Sequence, residues 1–208
     1  MTEHHHHHPG KQPDLEDLPY TRLMALTDAV TDLLLAKGVF AADELRQVLE
    51  TIDSRSPADG ARLVAHAWVD DGFRARVLTD VNAAAAEIGV DAGGIPIRAV
   101  ANDPGTHNVI VCTLCSCYPR LLLGPSPDWY KARAYRSRVV REPRAVLAEF
   151  GLELPPGKAV VVHDSTAELR YLVVPERPAG TEGWSETALA AIVTRDCMIG
   201  TAVPRVPA

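Results

Sequence analysis

The sequence predicts an α+β protein, on three observations. Helical periodicity runs through most of residues 20–90. The first clear β-branched run, Val109-Ile110-Val111, comes only after that span. Beyond it strands and helices are interspersed, with no internal repeat.

The elements follow in order. Residues 1–19 hold Pro9, Pro13, Pro19 and the run His4 to His8, with few apolar side chains, and read as a disordered His-containing tail, either tag or native. From Tyr20 to Lys37 the set Leu23, Leu26, Val30, Leu33 and Leu34 repeats at helical spacing, and Gly38 ends it. A second helix is expected over Ala41–Thr51, before the breaker cluster Ser54-Arg55-Ser56-Pro57. Two more are expected over Ala58–Asp70 and Gly72–Ile88. These stripes need something to cover, so residues 20–90 read as a helical arm that packs on a partner subunit.

Residues 91–208 read as a metal-binding α+β domain. Val109–Val111 leads straight into a cysteine loop, and Tyr118–Asp128, with Pro119, Pro125 and Pro127, is expected to be irregular. Pro143–Phe150 reads as a helix. Ala159–His163 and Leu169–Val174 read as neighbouring strands. Ser185 is a good N-cap for a helix over Glu186–Arg195, and Met198–Val203 is expected as a last strand.

Composition narrows the function. With 208 residues, 47% hydrophobic and 23% charged, the chain suits a globular domain with an arm. A net charge of -6 argues against a nucleic-acid footprint. No apolar run reaches the roughly 18–20 residues of a membrane span, and no secretory signal opens the chain. The expected location is cytoplasmic.

The chemistry is concentrated in Cys112-Thr113-Leu114-Cys115-Ser116-Cys117. Three cysteines in one hexapeptide do not form a disulfide framework, so a metal or redox role follows. In Cys115-Ser116-Cys117 the two thiolates and the backbone nitrogens of Ser116 and Cys117 close adjacent chelate rings. One tripeptide thus offers a planar S,N,N,S set, with Cys112 able to turn its sulfur to an axial position. An octahedral metal held this way keeps one position open, as a catalytic metal needs. Deprotonated amides with thiolates favour a small trivalent ion. Spacing leaves three alternatives open: a structural zinc completed by His107, His163 or Cys197, an iron–sulfur cluster, and a Cys112/Cys115 redox pair.

The stretch Val111-Cys112-Thr113-Leu114-Cys115-Ser116-Cys117-Tyr118-Pro119 resembles the metal-binding signature of the nitrile hydratase alpha subunit. The resemblance continues through Trp129-Tyr130-Lys131, residues 135–144, residues 177–184 and Val193-Thr194-Arg195-Asp196-Cys197. It implies a helical arm followed by a layered α-β-β-α domain. It also implies one low-spin Co(III) per alpha subunit in preference to Fe(III), because Thr113 resembles the cobalt class. The ligands implied are the sulfurs of Cys112, Cys115 and Cys117 and the nitrogens of Ser116 and Cys117. Cys115 is expected as a sulfinic acid and Cys117 as a sulfenic acid.

The implied activity is a lyase reaction that hydrates a small-molecule nitrile to its amide. Cobalt acts as Lewis acid, and the nucleophile is the Cys117 sulfenate or a water it activates; Ser116 and Cys115 complete the catalytic set. The implied partners are a β-type subunit, in one chain or two, and a metallochaperone or activator. The chain alone is expected to be inactive or nearly so.

One departure stands out. Arg120-Leu121 follows the Tyr-Pro step where nitrile hydratases have Trp-Pro, and a basic residue there resembles the thiocyanate hydrolase gamma subunit. That makes a thiocyanate hydrolase-type subunit the first alternative, and a zinc-bound or apo non-catalytic form the second. Around the site, Tyr118 and Arg120 are candidates for the substrate side, with an ion pair to the partner subunit as the alternative for Arg120. His107, Asp164, Glu168 and Arg170 match polar positions of the family. Their alternatives are a structural histidine and a solvated strand edge. His66 and Trp68 are expected to pack within the arm, and Cys197 to act as a small buried hydrophobe.

Overall fold

The computed structural model describes residues 21–207, so the expected disordered tail lies outside the described residues. Helix α1 (Arg22–Ala36) opens on Thr21, whose hydroxyl accepts the Met24 amide at 3.2 Å. Helix α2 (Ala42–Ser54) begins where the Glu44 carboxylate accepts the Ala41 amide at 2.7 Å. Neither helix buries a single residue, and α1 leaves Leu23, Leu26, Val30 and Leu33 exposed.

The next three helices behave differently, although the sequence groups them with the same arm. Helix α3 (Ala58–Val69) buries Leu63, Val64, Ala65, Ala67 and Trp68. Its Gly60 has no room for a side chain: a Cβ there would lie 2.7 Å from Leu123 Cδ2. Helices α4 (Asp71–Thr79) and α5 (Val81–Glu87) bury Phe73, Val77, Val81, Ala84 and Ala85. The sequence expectation of one helix over Gly72–Ile88 is corrected here. Asp80 turns into extended backbone and its carboxylate caps Ala83 at 3.0 Å, starting a new helix.

Two small sheets follow. Strand β1 (Ile97–Ala101), which sequence patterning missed, pairs in parallel with β4 (Arg170–Val174). Strand β2 (Thr106–Val111) pairs in parallel with β3 (Ala159–Asp164). Thus β3 and β4 are not hydrogen-bonded to each other, as their closeness in sequence suggested; each is claimed by an earlier strand. Parallel pairing needs a long crossover, which short-range pattern cannot reveal.

Between β2 and β3 run four short helices: α6 (Arg120–Leu123), α7 (Asp128–Lys131), α8 (Arg133–Arg138) and α9 (Pro143–Glu149). Helix α6 lies within the span expected to be irregular. Helix α10 (Glu186–Ala191) starts on the predicted Ser185 cap, which accepts Ala188 at 3.3 Å. The expected last strand is absent: Met198 and Ile199 end helix α11 (Arg195–Ile199), which is capped by the Thr194 hydroxyl and stopped by Gly200 in a left-handed conformation, φ 94°, and residues 201–203 run on without helix or strand.

Helices α4 and α5 lie on β1, α9 on β3, and α11 on β4 and β2, giving the α+β architecture. Val109, Ile110 and Val111 are fully buried at its centre, so the end of β2 is rigidly placed. Among the described residues no helix is long and apolar enough to cross a membrane.

Candidate metal centre

The cysteine loop begins where β2 ends. Parallel register sets Val111 opposite Asp164, and the Ser165 amide donates to the Val111 carbonyl at 2.7 Å. Cys112, the next residue, is therefore fixed by the sheet and buried. Cys115 is exposed and Cys117 half-buried.

The chain then curls so that its three sulfurs converge. Cys112 Sγ and Cys115 Sγ are 3.4 Å apart, and Cys115 Sγ and Cys117 Sγ 3.1 Å. All three lie within 4.8 Å of one another, the only group of three or more potential metal-ligating side chains among the described residues. The Cys115 amide donates to Cys112 Sγ at 3.3 Å. The Ser116 and Cys117 amides face the Cys115 sulfur, and both favour its anion. Three soft sulfurs thus meet at one point, with the Ser116 and Cys117 amides beside the middle one, a donor set suited to a transition metal.

Four side chains hold the loop and the strand that leads into it. Asp164 accepts the Thr113 amide at 2.9 Å and the Thr113 hydroxyl at 2.5 Å. Arg136 Nη1 donates to the Thr113 carbonyl at 3.3 Å. The Tyr130 hydroxyl donates to the Cys117 carbonyl at 2.9 Å, and the Tyr135 hydroxyl to the Ile110 carbonyl at 2.7 Å. Both tyrosines are buried, and Trp129 packs edge-on against each. Sequence reading did not assign Tyr130, Tyr135 or Arg136 a part in the site. The available signal was tyrosines and arginines interleaved just after a proline-rich loop, which is too weak to act on alone.

The thiols share their acidity. Hydrogen bonds from Cys117 and Cys112 lower the Cys115 thiol to about 7. Burial, then the Cys115 thiol, pushes Cys117 up to about 12, while the nearby Arg170 charge acts in the opposite direction. The first proton lost belongs to the cluster, and the remaining thiols stabilise the resulting thiolate.

Cys115, Ser116 and Cys117 open onto a cavity of about 440 Å³. Tyr118, Arg120 and Arg170 also line it, with Ile95, Ile97 and Leu121 supplying apolar wall. The Tyr118 hydroxyl and Arg170 Nη1 are buried without a hydrogen-bond partner. The structure thus brings Cys112, Cys115, Ser116, Cys117, Tyr118, Arg120, Asp164 and Arg170 to one region.

Two candidates sit elsewhere. His107 is 1% exposed, accepts from Asn102 at 3.2 Å and donates through Nε2 to the Gly200 carbonyl at 2.7 Å. Burial holds its pKa below the usual value. The Asn102–Asn108–His163 contacts extend this network toward β3. Glu168 is exposed in the turn before β4, its amide on Thr166 Oγ1. Cys197 is buried against Thr194 Oγ1 at 3.1 Å. His66 meets Glu186 of α10 at 2.9 Å, and the Trp68 indole donates to the Pro175 carbonyl, so both tie α3 to the C-terminal part.

An α+β domain that presents three converging thiols and two amides beside an open cavity defines a metal-centre protein. The chain belongs to the nitrile hydratase alpha chain family, whose model matches residues 21–202. It is 46% identical over 187 residues to the low-molecular weight cobalt-containing nitrile hydratase subunit alpha of Rhodococcus rhodochrous, covering 89% of this chain and 90% of the relative. It is also 46% identical over 189 residues to the thiocyanate hydrolase subunit gamma of Thiobacillus thioparus, covering 85% and 78%. A solved recombinant thiocyanate hydrolase with partially modified cobalt centres superposes with a TM-score of 0.84 at 44% identity, covering 89% of this chain and 91% of that one.

Proposed function

We propose that this chain is the metal-binding alpha subunit of a cytoplasmic cobalt nitrile hydratase, adding water to a small nitrile to give the amide. The observation that carries this is the convergence of three sulfurs within 4.8 Å at the wall of a cavity. The cobalt-containing relative supports the choice of metal. Cys112, Cys115 and Cys117 would hold one cobalt(III) through sulfur, and Ser116 and Cys117 also through backbone nitrogen. When bound, that ion supplies the Lewis acidity that makes a nitrile carbon electrophilic.

The chain's own residues do the rest. Asp164, Arg136 and Tyr130 fix the loop, so its ligand atoms keep their positions. Cys117, oxidised to the sulfenate, presents an oxygen nucleophile to the cavity or draws a proton from water there. The Ser116 hydroxyl orients the substrate or the oxidised sulfurs, and Cys115 is carried as the sulfinate. Arg170 offsets the negative charge these groups bring. His107 and Glu168 stand back from the sulfurs and act through the frame.

A β-type partner, in one chain or two, covers the cavity and the exposed arm, with α1 and α2 as the part of the arm free to engage it. An activator protein delivers the metal. The isolated chain is inactive or nearly so, because oxidised, anionic sulfurs need a covered and hydrogen-bonded setting. Arg120 on the cavity favours a second reading, a thiocyanate hydrolase-type subunit.

Co-expression with a β-type partner in cobalt medium tests both. Metal analysis is expected to give one cobalt per chain, and mass spectrometry added oxygen on Cys115 and Cys117, with turnover of nitriles. Turnover of thiocyanate alone would select the second reading. Zinc with unmodified cysteines and no turnover would reject both, leaving the non-catalytic form.

A further inference from the structure

We infer that Asn82 is a positioning residue for the substrate cavity: its side-chain amide holds the backbone segment that forms one apolar wall, and so sets how wide a nitrile fits. The nitrile part of this inference rests on the hydratase reading above; the positioning part rests on hydrogen bonds within this chain. Ala92, Gly93, Gly94, Ile95 and Ile97 line the cavity together with Cys115, Ser116 and Cys117. Apart from Ile97, which opens β1, these wall residues belong to no helix or strand, so no ladder holds their backbone.

One side chain does what a ladder would. Asn82, half-buried on α5, donates through Nδ2 to the Gly93 carbonyl at 2.7 Å and to the Ile95 carbonyl at 3.1 Å. Its Oδ1 accepts the Ile97 amide at 2.9 Å. Both donors of the amide are thus spent on the wall. Asn82 does not line the cavity itself; it lies in a neighbouring groove that shares Gly93, Gly94 and Ile97 with it. On another side Gly93 presses on α6, where a Cβ would lie 2.6 Å from Leu121 Cδ1. The segment is therefore caught between the α5 amide and Leu121. Asp91 adds a weaker tie, accepting the Gly93 amide at 2.9 Å and Arg55 at 3.1 Å from an exposed position. Ile95 and Ile97 offer apolar surface to the hydrocarbon part of a nitrile, which acetonitrile lacks beyond one methyl and an aryl nitrile has in full.

The test uses the assembled, cobalt-loaded complex, with acetonitrile and benzonitrile as probes. Asn82→Asp is nearly isosteric, suits the first turn of α5, keeps the acceptor for Ile97 and removes both donors. Asn82→Ser, with a hydroxyl too short to serve all three groups, gives a second background. Each is expected to raise KM for benzonitrile by about fivefold or more, with KM for acetonitrile and kcat for both within about twofold of wild type. A damaged fold or a lost metal would instead lower kcat for both nitriles alike, and cobalt content is measured alongside. Equal changes for the two nitriles, or none in either variant, overturn the inference and leave the hydratase reading standing. If the complex hydrates neither nitrile, their binding is compared by calorimetry. A benzonitrile Kd weakened about fivefold in Asn82→Asp, with acetonitrile unmoved, then sustains the positioning role and defeats the hydratase reading. No binding of either nitrile defeats both.

Discussion

The Asp164 carboxylate spans the first turn of the cysteine loop, accepting the Thr113 amide on one oxygen at 2.9 Å and the Thr113 hydroxyl on the other at 2.5 Å. Because Asp164 closes β3 and Thr113 follows β2, this pair ties the loop to the sheet that generates it.

Removing that tie should loosen the ligand set before it unfolds the protein. Asp164→Ala is expected to cost about 1–2 kcal/mol in urea unfolding. It is expected to lower metal affinity by about tenfold or more, measured by competition with a chelator. Asp164→Asn keeps an acceptor and should fall between. Unchanged metal retention in Asp164→Ala would show that the loop is self-supporting.

The three loop cysteines and Cys197 should separate cleanly. Cys112→Ala, Cys115→Ala and Cys117→Ala are each expected to bring cobalt content close to zero by elemental analysis of the complex. Cys197→Ala is expected to keep it and to cost about 1 kcal/mol through a small cavity, since its sulfur is buried against Thr194.

Gly200 has no freedom to change. Its φ of 94° disfavours any side chain, and a Cβ would stand 2.0 Å from the Asn108 carbonyl oxygen. Gly200→Ala is therefore expected to cost about 3 kcal/mol or more. Thermal melting should show a drop of about 6–12 °C. Its carbonyl also accepts from His107, so the same substitution disturbs the polar network beneath β2.

His107 should make the fold acid-sensitive. Its pKa is depressed by burial, and its Nδ1 already accepts from Asn102, so the folded chain resists the extra proton. The unfolded chain takes that proton near the usual 6.5. Between the two values the unfolded state binds more protons, so stability is full above about pH 6.5 and is lost as pH falls through that window. Unfolding measured at about pH 7.5 and about pH 5.5 is expected to show the loss, and His107→Gln to reduce its slope. His163 is depressed in the same direction and should supply the remainder.

Helices were the most legible part of the sequence. Their 3.6-residue stripes and polar caps are local signals, and Ser185 and Gly38 mark boundaries the structure respects. The break at Asp80 was equally local but hidden by an alanine run that reads as continuous helix. Met198–Val203 misled because its apolar residues fit a strand, while the deciding features are the Thr194 cap before it and the Gly200 stop within it. Strand partners were illegible. Val111 meets Asp164 across a long crossover, and nothing near either residue announces the other. The same division holds at the site: the cysteines declare themselves by spacing, whereas Tyr130, Arg136 and the anchoring of Thr113 by Asp164 exist only after folding.

The tie between Thr113 and Asp164 joins positions 51 residues apart. During synthesis the thiols therefore leave the ribosome well before the strand that frames them. An ion captured at that stage would meet three free sulfurs with no fixed geometry and would settle on whichever coordination suits it. Faithful loading would therefore wait for the finished fold, because only the completed sheet sets the three sulfurs at fixed positions.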